Sequence, residues 1–272
     1  MAYWDKLTSQ GNVEDRRGAS LAGGIGGLGL VGTLIFMAFT YFTSGGDLNA
    51  VLSQLEGLQT TQQTFQKTDF DGSDEYPKFA STVLGSNNET WQQIFAASGK
   101  TYTAPKLVLF RQATQSGCGI ATSEVGPHYC PLDSTIYLDE TFFDELQRRF
   151  KTEGGDVAEA YVISHEVGHH VQNLLGITEV AERTNEESIR IELQADCFAG
   201  TWANSVAPLG VFEPGEIKEA IDAAAAVGDD RIQKTVTGRV DPESWTHGSS
   251  EQRVTWFTKG FETGKPSNCT VS

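Results

Sequence analysis

The chain has 272 residues, with 36 acidic against 20 basic side chains and a formal net charge of −16. Its 39% hydrophobic content is that of a globular protein and excludes a disordered chain. The acidic excess argues against nucleic acid, or an anionic membrane surface, as a partner for the body of the protein, so partners are expected to be neutral or basic.

The first segment, residues 1–20, is short and carries Lys6, Arg16 and Arg17. Leu21 to Phe42 follows as 22 residues without a charge, among them Ile25, Leu28, Leu34, Phe36 and Phe39. At about 1.5 Å per residue such a helix runs about 33 Å, enough to cross the hydrocarbon core of a bilayer. A buried core helix and a cleaved signal peptide are the alternatives. The run is longer than a typical secretory apolar region, however, and no small-x-small cleavage site follows it in Tyr41-Phe42-Thr43-Ser44-Gly45-Gly46. The expectation is therefore one transmembrane helix at 21–42. Basic residues precede it and the next is Lys67, so residues 1–20 are expected as a cytoplasmic tail and the rest outside the cytoplasm, at the cell membrane. Gly23 and Gly27 have the small-xxx-small spacing that could support a weak homodimer through that helix.

Residues 43–74 read as a linker rich in Gln, Thr, Gly and Asp, and residues 75–272 as the folded domain. Helical patterns are expected at Tyr76 to Leu84 and Glu89 to Ala97, strands at Lys106 to Phe110 and Thr135 to Leu138, and a helix at Thr141 to Phe150. Asp156 and Glu159 have capping-box spacing and should open a helix that stops at Gly176. A second box, Thr184 to Glu187, should open a helix running to about Val206 before Pro208.

All four cysteines, Cys118, Cys130, Cys197 and Cys269, lie beyond the apolar run. An even count in an exported domain favours disulfides. The short Cys118–Cys130 interval, bracketed by Gly117, Gly119, Gly126 and Pro127, reads as a local loop staple, which leaves Cys197 with Cys269. A Cys-rich zinc site is the rival reading, but no C-x-x-C spacing exists.

His165-Glu166-Val167-Gly168-His169 carries the chemistry. Two histidines four apart on a helix project from one face and can converge on one zinc ion, while Glu166 points to the flank of that face as a base for water. Random placement of five histidines produces this motif with odds on the order of one in a hundred. A catalytic zinc needs a third protein ligand and an open fourth position. Glu192 and Asp196 share a helix face, so one could bind Zn²⁺ and the other orient a histidine; spacing alone does not choose between them. His170 points elsewhere by about 100 degrees and is left out. His128, in the disulfide loop, is read as structural.

With these motifs in place, the chain resembles the bacterial neutral zinc metallopeptidases, membrane-anchored proteins with an extracytoplasmic domain. The matching segments are Asn12 to Gly18, Ser116 to Gly119, Gly126 to Pro131, Ile136 to Asp139, Tyr161 to Leu175, Glu192 to Gly200 and Thr246 to Phe257. More distantly, Glu192-Leu193-Gln194-Ala195-Asp196 is similar to the E-x-x-A-D helix of CAAX-prenyl-protease-type membrane metalloproteases. That similarity implies Glu192 as a zinc ligand and Asp196 as its support. This chain has one apolar run and no intramembrane chamber, so prenylated substrates do not carry over.

The segment from Thr246 to Arg253 resembles the H-P-x-x-x-x-R stretch of those enzymes. The likeness leaves His247 either as a donor to the oxyanion or as a structural residue that packs on Trp245 or bonds a backbone carbonyl. The expected protein is thus an α+β, zincin-like metallopeptidase with a mostly helical core and small sheet. His165, His169 and Glu192 hold Zn²⁺, Glu166 is the base, and the substrate is a protein or peptide. The competing reading is a membrane-tethered scaffold whose zinc is structural, which would require a fourth protein ligand.

Overall fold

The computed structural model describes residues 1–18, 74–150, 154–178 and 183–270. The expected membrane helix at 21–42 and nearly all of the linker at 43–74 lie outside them. Among the described residues no helix is long and apolar enough to cross a membrane. Met1–Arg16 and Ser73–Ser272 belong to one compact unit.

The architecture is mixed helix and sheet. A four-stranded sheet has the order β1 (Asn12–Asp15), β2 (Lys106–Leu109), β6 (Thr135–Leu138), β5 (His128–Cys130). The first three strands are parallel and β5 is antiparallel to β6. Strands β3 (Ala113–Ser116) and β4 (Gly119–Thr122) form a separate hairpin. Strands β2 and β6 are buried almost throughout, as apolar parallel strands covered on both faces should be. The helices are α1 (Tyr76–Ala97), α2 (Thr141–Phe150), α3 (Asp156–Leu174), α4 (Asn185–Val206), α5 (Ile217–Ala226), α6 (Asp229–Thr237) and α7 (Ser250–Thr263).

The N-terminal expectation requires correction. Residues 1–16 are not a separate tail: β1 pairs with β2 in register from Asn12↔Lys106 to Asp15↔Leu109. Upstream, Ala2 and Leu7 are buried in the core, and the Trp4 indole donates to Asp156 Oδ2 at 2.7 Å. A chain that crossed a membrane once between residues 18 and 74 would put these two regions on opposite sides. Main-chain hydrogen bonds between adjacent strands require them on the same side, so a cytoplasmic tail joined by one crossing to an external domain is incompatible with this sheet.

Two helix boundaries also differ from the periodicity. The stretch expected to divide two helices, around Gly85 to Asn88, lies inside the continuous helix α1. Gly85 is a crossing point there: a Cβ on it would meet the Ser9 backbone at 2.5 Å, and Asn87 donates to Ser164 Oγ of α3 at 2.9 Å. Asp156 is the first residue of α3 rather than its cap, because its carboxylate is taken by Trp4 and by the Ala2 amide. The box at Thr184 and Glu187 forms as expected, and a third, Ser249 with Gln252, opens α7. The disulfides are Cys118–Cys130, which ties the hairpin to β5, and Cys197–Cys269, which ties α4 to the chain's C-terminal segment.

Candidate metal centre

Helix α3 brings His165 and His169 to one face and α4 presents Glu192 and Asp196 opposite. Their separation is set where Gly168 meets Ala195: a Cβ on Gly168 would come within 3.0 Å of the Ala195 backbone. An alanine there would require the two helices to give by a few tenths of an ångström. Helix α7 approaches α4 in the same way, since a Cβ on Gly260 would sit 2.0 Å from the Cys197 carbonyl.

Across the α3–α4 contact, His165 Nε2 lies 3.1 Å from Glu192 Oε2 and 3.1 Å from His169 Nε2, and His169 Nε2 lies 3.4 Å from Glu192 Oε1. The outer faces of the rings are committed. His165 Nδ1 is 2.8 Å from Asp196 Oδ1, and His169 Nδ1 is 2.9 Å from Gln172 Oε1. The Gln172 amide cannot be reversed without loss, because its Nε2 donates to the Ile191 carbonyl and to Gln194 Oε1. Both partners therefore accept and each Nδ1 carries a proton, so a metal bound at the centre would meet the Nε2 lone pairs of two neutral rings beside the Glu192 carboxylate.

Two imidazoles and a carboxylate converging in this way call for a positive charge between them. Burial alone would disfavour a charged His165, yet Asp196 and Glu192 push its pKa up to about 10. His169 is likewise raised, burial being outweighed by Glu192. Burial would raise the Glu192 carboxyl, but the two histidines hold it well below the usual range. A divalent metal at the donor set satisfies the same demand, and two imidazoles with one carboxylate suit zinc.

Asp196 is fully buried and its oxygens are saturated. Oδ1 accepts from Tyr161 Oη at 2.6 Å, from His165 and from Arg253 Nη2 at 2.9 Å, and Oδ2 accepts from Arg253 Nε at 2.8 Å. Burial opposes its charge, but Arg253 and His165 hold its pKa at about 2. The geometry places Asp196 behind the His165 ring while both Glu192 oxygens face the Nε2 atoms.

Sequence reasoning overlooked Tyr161, Gln172 and Arg253. Tyr161 lies one turn before His165 on the same face, so the spacing held its signal. Arg253 is a charge on the buried stripe of α7 that includes Phe257 and Gly260, the pattern of a guanidinium with a buried partner.

The donors open onto a cleft of about 530 Å³ whose walls include Glu166, His128, Arg183 and His247. Glu166 is buried and makes no hydrogen bond among the described residues, which leaves its carboxylate uncommitted beside the donor set. His247 is held by Asp229 of α6. Its Nδ1 lies 3.1 Å from Asp229 Oδ1, and the ring is about half exposed at the cleft. His128 stacks on Tyr137 with ring centroids 5.5 Å apart and also borders the cleft. His170 is turned away, held between Tyr129 Oη and the Thr103 carbonyl.

Among the described residues no fourth His, Cys, Asp or Glu joins the donor set. The other acidic group that could hold a cation, Asp156, Glu216 and Glu219, already accepts from the Ala2 amide, the Trp4 indole, the Met1 amine and the Val157 amide.

The family described as "Putative neutral zinc metallopeptidase" matches residues 2–271, and the chain belongs to it. An uncharacterised protein, YpfJ, of Escherichia coli strain K12 is 42% identical over 284 residues, covering 98% of this chain and 97% of that one. Uncharacterised proteins of Mycobacterium bovis and Mycobacterium tuberculosis strain H37Rv are each 49% identical over 182 residues, 62% of either chain. No solved structure matches.

Proposed function

We propose that the chain is a zinc-dependent metallopeptidase that hydrolyses peptide bonds of a protein or peptide substrate in an oxidising compartment outside the cytoplasm. The observation that carries the reading is the pairing of a three-residue donor set, without a fourth protein ligand among the described residues, with an uncommitted Glu166 on the same cleft. A structural zinc site would be closed by a fourth residue and would have no use for that carboxylate.

Zinc held by His165, His169 and Glu192 would supply a Lewis acid that polarises the scissile carbonyl and acidifies water. Glu166 takes the proton from the attacking water and returns it to the departing amine. Asp196 keeps the proton of His165 on Nδ1 and so aims Nε2 inward, and Gln172 does the same for His169. His247, which also lines the cleft, would as its imidazolium donate to the oxygen that gains charge in the transition state. The two disulfides favour an exported domain, and the strand pairing of residues 12–15 brings the N-terminal residues to the same side. We also propose that the apolar run at 21–42 attaches the protein to the membrane.

The deciding experiment is Glu166→Gln, which removes the base and no ligand. Zinc stoichiometry and melting temperature should hold while turnover of casein or a peptide library is lost. Undiminished turnover in the zinc-loaded variant would refute the mechanism.

A further inference from the structure

The His247 loop is held by one carboxylate. Asp229 opens α6 and is buried, 8% exposed. Its Oδ2 accepts three consecutive main-chain amides, Thr246 at 2.8 Å, His247 at 2.6 Å and Gly248 at 3.0 Å. The Asp229 amide donates back to the Gly248 carbonyl at 2.9 Å. That leaves Oδ1 for the His247 ring, whose Nδ1 lies 3.1 Å away and is also 3.0 Å from Thr246 Oγ1.

The loop is fixed from the other side as well. Gly248 has φ +91, and a Cβ there would meet Ile189 at 3.2 Å and Leu193 at 3.4 Å, residues of the helix that carries Glu192. The next residue, Ser249, caps α7, whose Arg253 grips Asp196. His247 is thereby tied through main chain to both elements behind the metal donors.

We propose that Asp229 is the positioning residue for His247: it sets the ring's tautomer and aim, so that Nε2 faces the cleft. The chemistry follows from the acceptor. An ionised carboxylate can only accept, so the Nδ1 proton stays between ring and Asp229, and Nε2 of the neutral ring is an acceptor. His247 can then donate into the cleft only when the ring carries both protons. The loop thus acts as a His–carboxylate pair in which Asp229 fixes which nitrogen faces substrate, a role distinct from packing. The other charged or titratable groups facing the same cleft are His128, Tyr129, Tyr161, His165, Glu166, His169, Arg183, Glu192 and Arg253.

This proposal rests on the peptidase reading for its kinetic arm only. Asp229→Asn retains one oxygen for the three amides and replaces the acceptor beside Nδ1 with an amide donor, which reverses the preferred tautomer. With ¹⁵N-labelled zinc-loaded full-length protein, the His247 ring should report Nδ1–H in the parent and Nε2–H in Asp229→Asn. If substrate turnover is established, kcat should change about 10-fold or more with KM little changed, and Asp229→Asn should add little once His247→Gln is present. Asp229→Glu should keep the parent tautomer and restore part of the parent kcat. An unchanged His247 tautomer in Asp229→Asn would overturn the proposal whether or not the protein cleaves peptides. So would an Asp229→Asn defect that persists undiminished in the His247→Gln background, since it would assign Asp229 to the loop fold alone.

Discussion

Arg253→Met tests whether the arrangement behind the donors is the device that holds His165. Asp196 is completely enclosed, and Arg253, itself 3% exposed, supplies two of its hydrogen bonds and its countercharge. Methionine fills much of the same volume but leaves a buried carboxylate unpaired, which typically costs about 3–5 kcal/mol. In a domain of this size each kcal/mol shifts the melting temperature by about 2–4 °C, so the expected fall is about 6–20 °C. Because Asp196 fixes the His165 ring, zinc affinity should also drop, by about 10 to 100-fold.

Both quantities are measurable on one preparation, by thermal denaturation of zinc-loaded and zinc-stripped protein and by competition with a chromophoric chelator. The Asp196→Asn/Arg253→Met double variant removes both charges yet keeps an oxygen for Tyr161 and His165. It should therefore be less destabilised than the sum of the singles by about 0.5–3 kcal/mol. Strictly additive singles, or an Arg253→Met protein that melts with the parent and binds zinc normally, would refute the argument that the ion pair supports the centre.

Glu192→Ala should weaken zinc more than Asp196→Ala does, because it removes a donor rather than a support; the reverse order in chelator competition would mean the two roles are exchanged. Zinc must displace protons from rings whose metal-free pKa values are raised, His165 to about 10, so affinity should climb between about pH 6 and pH 9. Calorimetry in buffers of differing ionisation enthalpy should register proton release, and a pH-independent affinity would contradict the lone-pair geometry. In the zinc-free protein the His165 contribution to stability is complete below its unfolded value of 6.5 and is lost as pH rises toward about 10, a decline visible in melting temperature. Cysteines placed at the register pair Asn12 and Lys106 should cross-link in exported protein, and tags at both termini should be equally exposed to protease on cells. A protected N-terminal tag beside an exposed C-terminal one would restore a single crossing.

The centre was legible because its parts are encoded by local spacing. His165 and His169 lie one turn apart, as do Glu192 and Asp196, so helical geometry alone puts each pair on one face. Gly168 and Ala195 then supply the close approach that makes the two faces meet. Asp229 was illegible for the opposite reason. In sequence it is one of two acids in the first turn of a short helix, where acidic residues are ordinary partners of the helix dipole. Its three amide bonds come from residues 17 to 19 positions away, brought there by tertiary packing. The continuity of α1 was hidden likewise, since Gly85 weakens a helix locally and is explained only by the Ser9 backbone that crosses it.

The N-terminal segment shows how one physical quantity can serve two purposes and be read for the wrong one. Positive charge before an apolar run is a topogenic signal because translocation disfavours it. The same residues here have partners in the fold: Lys6 donates to the Gly210 carbonyl, and Arg16 bonds Glu14 at 2.7 Å, Thr114 at 3.3 Å and the Gln115 carbonyl at 3.1 Å. A guanidinium so engaged with the β3 hairpin is placed to hold the end of β1 against the sheet. Strand β1 itself, Asn-Val-Glu-Asp, has one apolar residue in four, too few to register as a strand by alternation. Its pairing covers the edge of β2, which would otherwise present unpaired main-chain groups. The charge pattern therefore measures how the segment is anchored to the domain, and the sheet, not the charge count, fixes the side on which it lies.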